Sequence, residues 1–397
     1  MINDLRMHNG NFWTFLGMTL WLFSCQSPVQ DISLPFAADA FHLDTVFYRT
    51  VPLDNWPFRL SGIENAQLLD SVLFFQGRGQ NHKGENDGFI MTWKYHESDS
   101  PNKVFFSQRI PNYRRSFYNF SVNSNELLTF GSAMMCQFNS DLTYQRCWEW
   151  TSPPEIGITA HPFLMIPKQE STEEGMRFLL QIRNPNDKLN QLGKHKGSAG
   201  AFIITDTEAN VHNIFGEYPA SFYEPGPIFT VYGRMSAGAV SDSHIYTYFL
   251  GNRHILRYTF EGDLNANIAL PASDAFRENL IHLEPNDPII TDPYSLLDQR
   301  ERIRQVSNDF ITGFQIHENI LHHVEVKCAR TYPNTFTTNY RVLDLDTGAF
   351  SEFVLAAQDS SFYRLLDITA SGEVLFSKQN KSESLELLQL KINPVSE

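Results

Sequence analysis

The chain has 397 residues, of which 42% are hydrophobic and 19% charged, so it can bury a large core and global disorder is excluded. Lys and Arg total 31 against 45 Asp and Glu, a net charge of −14, and binding to nucleic acid is not expected because phosphates would be repelled. Aromatic residues make up 13%, including 32 Phe, which favours β-structure in either one large all-β domain or two ordinary domains.

The first segment, residues 1–24, differs from the rest of the chain. Arg6 precedes a short apolar run at 11–23, which is too brief to cross a membrane as a helix. The order of a basic start, an apolar middle and a small residue predicts a secretory signal peptide over 1–24. No later apolar stretch approaches membrane-spanning length, so we expect the mature chain to be soluble.

Cys25 directly follows this run, in the sequence Leu22-Phe23-Ser24-Cys25. The order resembles a bacterial lipobox, in which Leu stands three residues before the cysteine and a small residue stands directly before it. The resemblance implies that Cys25 becomes the lipidated first residue and that 25–44 form the lipidated cysteine and a tether. Phe23 departs from the pattern, and an ordinary signal peptide or a free thiol is the alternative.

Three further cysteines lie in the body of the chain. Cys136 and Cys147 flank a polar stretch whose Asn-Ser-Asp sequence predicts a hairpin turn. Because the two are about equally far from the turn, they can be adjacent on neighbouring strands, and an exported protein permits a disulfide. Two buried thiols are the alternative. Cys328 is then expected to be a core thiol at a strand end.

From about residue 45 onward, short apolar or alternating runs are separated by turn residues. Almost nothing between them is long enough for a crossover helix, which excludes a parallel α/β fold. Two phrases recur, since 116–130 resembles 361–376 and 200–215 resembles 340–355. Repeats of this kind predict an all-β fold, a single six-bladed β-propeller over 45–397, with a pair of β-sandwiches as the competing architecture.

Each predicted blade has four strands, A to D. The predicted blades span 60–110, 115–151, 159–218, 229–270, 308–355 and 361–393. The run 45–53 is predicted to add a strand to the last blade and so to close the ring. Residues 271–308 contain Asp292-Pro293 before an apolar stripe, which predicts a short helical insertion between blades 4 and 5. It is either a solvated cap or a lid over the ring opening.

The lipobox, the tether and the six blades together resemble the TolB-like six-bladed β-propeller lipoproteins of Bacteroidota, many of which have no known function. The resemblance covers most of 45–393 and rests on the texture of the blades. It implies an exported protein anchored in the outer membrane, and it identifies no catalytic residue.

In a propeller, the B–C and D–A connections open on one face, where ligands commonly bind. The long predicted B–C connections, 77–88, 183–200 and 329–339, carry basic side chains that stand out on an acidic protein. The D–A connections add Arg beside aromatic rings, which suits sugars and carboxylates. The candidate binding residues are Arg78, Lys83, Arg115, Arg183, Lys194, His195, Tyr223, Arg234, Arg330 and Arg364. Solvated loops and packing between blades are the alternatives.

Catalytic and metal-binding patterns are weak. His322 and His323 lie in a predicted strand, so their rings point to opposite faces and cannot bind one metal. His323 and Glu325 share a face and are expected to form a half-exposed, satisfied pair. The sequence has no phosphate loop, nucleophile elbow or zinc-ligand spacing, so no metal or cofactor is predicted, while a Ser/His/Asp triad assembled in space stays open.

These patterns predict a membrane-anchored exported lipoprotein whose propeller face binds a glycan, a peptide, a polar or anionic small ligand, or a subunit of an outer-membrane complex. The alternative is a propeller hydrolase or lyase that acts on an extracellular sugar or lactone. A third interpretation is a structural accessory of an outer-membrane assembly.

Overall fold

The computed structural model describes residues 29–53, 66–80, 86–98, 101–105, 117–122, 126–131, 134–139, 141–149, 157–166, 176–183, 202–208, 210–216, 236–276, 309–329, 335–380 and 383–395. Within these residues the chain forms strands and turns and contains no helix. The strands make six sheets, each the blade of a β-propeller, so the six-bladed fold predicted from the sequence is confirmed.

The first three blades follow one another along the chain. Blade 1 consists of β3 (Ala66–Leu69), β4 (Val72–Gln80), β5 (Asn86–Trp93) and β6 (Asn102–Phe105). Blade 2 consists of β7 (Phe117–Val122), β8 (Glu126–Gly131), β9 (Met134–Asn139) and β10 (Tyr144–Glu149). Blade 3 consists of β11 (Gly157–Ile166), β12 (Arg177–Arg183), β13 (Phe202–Asp206) and β14 (Val211–Phe215).

Two of the last three blades include strands from the N-terminal segment. Blade 4 consists of β15 (Ser236–Val240), β16 (Ile245–Phe249), β17 (His254–Tyr258) and β18 (Leu264–Ala269), with β1 (Gln30–Ile32) as a fifth strand. Blade 5 consists of β19 (Phe310–His317), β20 (Ile320–Cys328), β21 (Phe336–Asp344) and β22 (Phe350–Asp359). Blade 6 consists of β23 (Tyr363–Ile368), β24 (Val374–Asn380), β25 (Ser384–Pro394) and, as its outer strand, β2 (Phe41–Pro52).

The ring is closed through the innermost strand of each blade. Each innermost strand contacts the innermost strands of both neighbouring blades, and β23 of blade 6 contacts β3 of blade 1. Polar side chains tie these strands together, because Gln67 accepts from the Val122 N–H at 2.6 Å and Asp367 accepts from the Leu68 N–H. Gln315 donates to the Leu366 carbonyl at 3.3 Å. Hydrogen bonds between blades therefore supplement the apolar packing of the ring.

The core consists of apolar layers between neighbouring blades. Phe75 and Trp93 of blade 1 pack against Leu387 of blade 6, and Leu128 of blade 2 packs against Phe178 of blade 3. Burying side chains of this size contributes roughly 1.5–3 kcal/mol each, which explains why a chain rich in Phe forms this fold. The alternation of apolar residues along each strand gives each sheet two such faces.

The N-terminal segment packs on the propeller from Val29 onward. β1 pairs in parallel with β18, Ala37 then bridges to Ala349 in the turn between β21 and β22, and β2 pairs with β25. The predicted closing strand at 45–53 is therefore present, but it begins earlier, at Phe41. Most of the segment 25–44 assigned to a tether is part of the folded domain, because its apolar residues insert beside blades 4 and 5.

Two predicted features fall largely or wholly outside the described residues. The signal peptide at 1–24 and Cys25 lie before Val29. Of the predicted helical insertion at 271–308, only residues 271–276 are described, and they are not helical. No helix in the described part of the chain has the length and apolar character needed to cross a membrane.

Candidate functional site

The strand order places the three long B–C connections on one face. They join β4 to β5, β12 to β13 and β20 to β21, which are the second and third strands of blades 1, 3 and 5. The D–A connections between blades open on the same side, because strands within a blade alternate in direction. We call this side the loop face, and its use for binding stays a prediction.

The structure describes few of the predicted binding residues. Arg78 and Arg183 lie in β4 and β12, where only the backbone is described, and Arg364 lies in β23 with its guanidinium 4.8 Å from the centre of the Phe362 ring. The contact is local, since Phe362 is two residues away, and a binding role for Arg364 stays a prediction. The others lie outside the described residues: Lys83, Arg115, Lys194, His195, Tyr223, Arg234 and Arg330.

A cluster of ionisable side chains lies between blades 4 and 5. His323, Glu325 and Lys327 occupy every second position of β20 and therefore point to the same face, toward blade 4. His323 is 0% exposed and Glu325 1%, whereas Lys327 retains 21%. The expectation that His323 and Glu325 are half-exposed is therefore wrong, because blade 4 covers both side chains.

Partners from two other parts of the chain complete the cluster. The Tyr248 hydroxyl on β16 of blade 4 donates to Glu325 Oε1 at 2.7 Å. Asp309, which directly precedes β19, accepts from the Cys328 N–H through Oδ1 at 2.9 Å. Lys327 Nζ lies between the two carboxylates, 3.2 Å from Asp309 Oδ2 and 3.6 Å from Glu325 Oε2. We call Asp309, Glu325 and Lys327 the seam triad.

His323 lies beneath the triad in an aromatic enclosure. Its Nε2 is 3.1 Å from Glu325 Oε1, and its ring packs against Tyr248, Phe314 and Phe276 at centroid distances of 4.5, 5.8 and 5.0 Å. Nδ1 completes no hydrogen bond with any residue in the described ranges. A ring enclosed in this way is a structural component of the seam, not an exposed base.

A second ion pair fastens the start of the connection from blade 4 to blade 5. The buried Arg341 guanidinium donates through Nη2 to Glu352 Oε1 at 2.7 Å and to the Pro271 carbonyl at 3.1 Å. The Phe276 ring lies 4.0 Å from the guanidinium carbon, and Ser273 donates to Glu352. Residues 271–276 are therefore held against blade 5 beside the triad.

Burial and charge act against each other on the ionisable groups of the seam. Burial acts to raise the pKa of Glu325, but His323, Lys327 and the Tyr248 hydroxyl outweigh it, so the pKa is lowered and the carboxylate is charged. Burial lowers the pKa of His323, which is therefore neutral at pH 7. Burial raises the pKa of Asp309 although Lys327 acts in the opposite direction. Ionic groups in such a setting lose hydration that their mutual attraction only partly restores.

The triad opens toward the loop face. Asp309 stands at the beginning of β19 and Lys327 near the end of β20, and both strand ends lead into connections on that face. A sequence signal for it exists, since His, Glu and Lys alternate with Val and Cys in β20. Sequence reasoning missed Asp309 and Tyr248 because neither stands in a motif with Glu325.

The cysteines have defined places. Cys136 of β9 and Cys147 of β10 lie opposite each other in the antiparallel pair and form a disulfide. Cys328 is a buried free thiol at the end of β20. Within the described residues, no three His, Cys, Asp or Glu side chains are arranged to hold a metal ion.

Comparison with known proteins shows the fold and no more. The sequence matches no family model and no curated protein. A member of the DUF4221 family from Bacteroides vulgatus has a similar structure, with a TM-score of 0.57, 12% identity, and coverage of 90% of this chain and 99% of that one. A Bacteroides fragilis protein named as exported gives a TM-score of 0.49 at 11% identity, covering 92% and 100%.

Proposed function

We propose that the protein is an exported lipoprotein, anchored in the outer membrane through Cys25, whose propeller binds a polar ligand on the loop face at the seam between blades 4 and 5. A peptide or a segment of a partner protein suits this site, because basic residues of the predicted loops and the buried carboxylates of the triad offer charges of both signs. Glycans and small anions are the other ligand classes for the same face.

The observation that carries this proposal is the seam triad. Two carboxylates with 1% exposure are costly to bury, and apolar residues of similar volume would serve stability at least as well. Buried ionisable groups beside a partly exposed lysine at one face of the ring are typical of binding sites. The Cys136–Cys147 disulfide supports export, because such bonds persist in oxidising compartments.

Binding is tested with an array of peptides and oligosaccharides applied to the purified mature protein, followed by calorimetry on the strongest ligand. Arg330→Ala and Lys194→Ala remove charge from the loop face and should weaken binding about tenfold or more. Lys391→Ala, on an exposed position of β25, is the matched control and should bind normally. A ligand that binds all three variants equally well would contradict the assignment to this face.

Anchoring is tested separately by metabolic labelling with a fatty acid. Wild type and Cys328→Ala should incorporate label, and Cys25→Ala should not. Label that persists in Cys25→Ala would exclude this anchor, and the outcome does not depend on the ligand.

A further inference from the structure

Lys327 is the single side chain of the seam triad that reaches solvent. Asp309 and Glu325 are each 1% exposed, and the Lys327 ammonium lies between them with 21% of its side chain exposed. The two carboxylates are therefore internal, and the cation that neutralises them enters from the loop face on a long, flexible stem.

The single ammonium of the triad serves both of its carboxyl groups. Two carboxylates face one ammonium, and the nearby Arg341 is engaged by Glu352 at 2.7 Å. His323 is neutral because burial lowers its pKa. Asp309 Oδ2 completes no hydrogen bond with a described residue, although Lys327 Nζ stands 3.2 Å away. Asp309 Oδ2 is thus neutralised by the ion pair with Lys327, while Oδ1 accepts from the Cys328 N–H.

We infer that Asp309 and Glu325 form a slot for a cationic group, which Lys327 fills in the free protein and which the ammonium or guanidinium of a bound peptide fills in the complex. This inference rests on the proposed function, because it assigns a ligand class to the same site. Lys327 swings into solvent as the ligand enters, and Tyr248 continues to donate to Glu325.

Because Lys327 fills the slot in the free protein, the slot is selective for the ligands that can displace it. The ligand must displace Lys327, so its apparent affinity is reduced by the fraction of time for which the slot is filled. A lone cation therefore binds weakly, and a peptide that also contacts the loop face gains the additional free energy that displacement requires. Lys327 excludes simple cations and admits longer ligands.

The slot is tested by chemical rescue of Lys327→Ala. The variant leaves two buried carboxylates without their cation, and its melting temperature should fall by about 5 °C. Ethylammonium chloride should restore most of that loss, since it replaces the missing ammonium and part of the stem, while sodium chloride at equal ionic strength should not. Lys391→Ala should show neither the loss nor the rescue. A destabilised Lys327→Ala that responds equally to both salts overturns the inference.

A measurement on wild-type protein covers the case in which Lys327→Ala does not fold. Acetylation of Lys327 is quantified by mass spectrometry with an acetylated and amidated tetrapeptide that contains one arginine, or with its neutral counterpart, in which citrulline replaces the arginine. Displacement should raise Lys327 acetylation about threefold with the arginine compound alone. Lys391 acetylation should be equal with both. Equal reactivity of Lys327 with the two compounds would show that the slot does not exchange its cation.

The two proposals fail in different ways. A ligand that needs Arg330 and Lys194 but carries no cation, together with absent rescue, supports the loop face and rejects the slot. Rescue and displacement without any ligand from the array support the slot and count against a peptide-binding loop face.

Discussion

The two faces of β20 show how one strand can serve two different interfaces. Toward blade 4, His323, Glu325 and Lys327 form a charged seam with Tyr248 and Asp309. Toward blade 6, the neighbouring His322 is also buried, but its only polar contact recorded among the described residues is with the Tyr340 hydroxyl, 2.8 Å from Nδ1. The two histidines are adjacent in sequence and lie in opposite environments.

The difference lies in the number of charges that each face contains. Val324 and Val326 accompany His322 and pack with apolar side chains, and the charges of this seam, Lys378 with Asp359 and Glu386, lie on β22 and on blade 6 and not on β20. Burial lowers the pKa of His322 to about 3, and His322 remains neutral over the physiological range. The blade 4 face instead keeps carboxylates and a lysine at the end nearest the loop face. The two seams differ in burial, since Asp309 and Glu325 are each 1% exposed, whereas Asp359 and Glu386 keep 30% and 12%. The desolvation of carboxylates is therefore larger on the blade 4 side.

The largest effect is expected from Glu325→Leu. The change leaves His323 without its carboxylate, leaves Lys327 with Asp309 but not Glu325, and removes the acceptor of the Tyr248 hydroxyl. The free energy of unfolding should therefore fall by about 3–5 kcal/mol. Denaturant titration measures it. Glu383→Leu, at an exposed position before β25, should change it by less than about 0.5 kcal/mol. A Glu325→Leu variant as stable as wild type would show that the Glu325 carboxylate makes no net contribution to the stability of the fold.

A smaller, pH-dependent effect is expected at Asp367, a carboxylate that has backbone N–H donors and no cation recorded beside it. Burial raises its pKa to about 6, although the Leu68 and Ile368 N–H groups act to lower it. The folded pKa lies above the unfolded value of 3.8. The protonated Asp367 therefore contributes fully to the stability of the fold below pH 3.8, and this contribution is lost as the pH rises through 6. Wild type should therefore lose about 2 kcal/mol relative to Asp367→Asn between pH 4 and 7, a figure reduced because Asp367 keeps some exposure.

The same titration of stability separates Asp367 from His322. The folded pKa of His322 lies below its unfolded value, so its contribution is present above pH 6.5 and is lost as the pH falls toward 3. Asp367→Asn should abolish a loss of unfolding free energy that wild type shows as the pH rises. His322→Asn should abolish a loss of unfolding free energy that wild type shows as the pH falls. Identical pH profiles for the two variants would contradict these pKa shifts.

The smallest effect is expected from Tyr340→Phe, beside His322 on the blade 6 side of β20. The change removes one hydroxyl and leaves His322 Nδ1 without the partner at 2.8 Å, which should lower the free energy of unfolding by about 1–2 kcal/mol. Tyr48→Phe, on the exposed side of β2, is the matched control and should be nearly neutral. A loss at Tyr340 as large as that at Glu325 would remove the distinction between the two seams.

Much of the fold could be predicted because each of its units is local. Four short strands with turn residues between them form one blade, and the six repeats and the closing strand follow from patterns a few residues long. The start of β2 at Phe41 was missed because the preceding segment is held in place by the packing of Leu34 and Phe36. A few apolar residues in a short stretch do not by themselves predict such packing. Their burial depends on blades that lie far along the chain.

The alternation of residues by itself determined that the chain forms blades and that His323, Glu325 and Lys327 share one face of a strand. Only the tertiary structure decided that this face is buried, and that Tyr248, which lies 77 residues from Glu325, supplies its hydroxyl. The reason is physical. The alternation of residues along a strand tells which side chains share a face. The desolvation and charge pairing of those side chains depend on what packs against them, and in a closed ring that is the neighbouring blade.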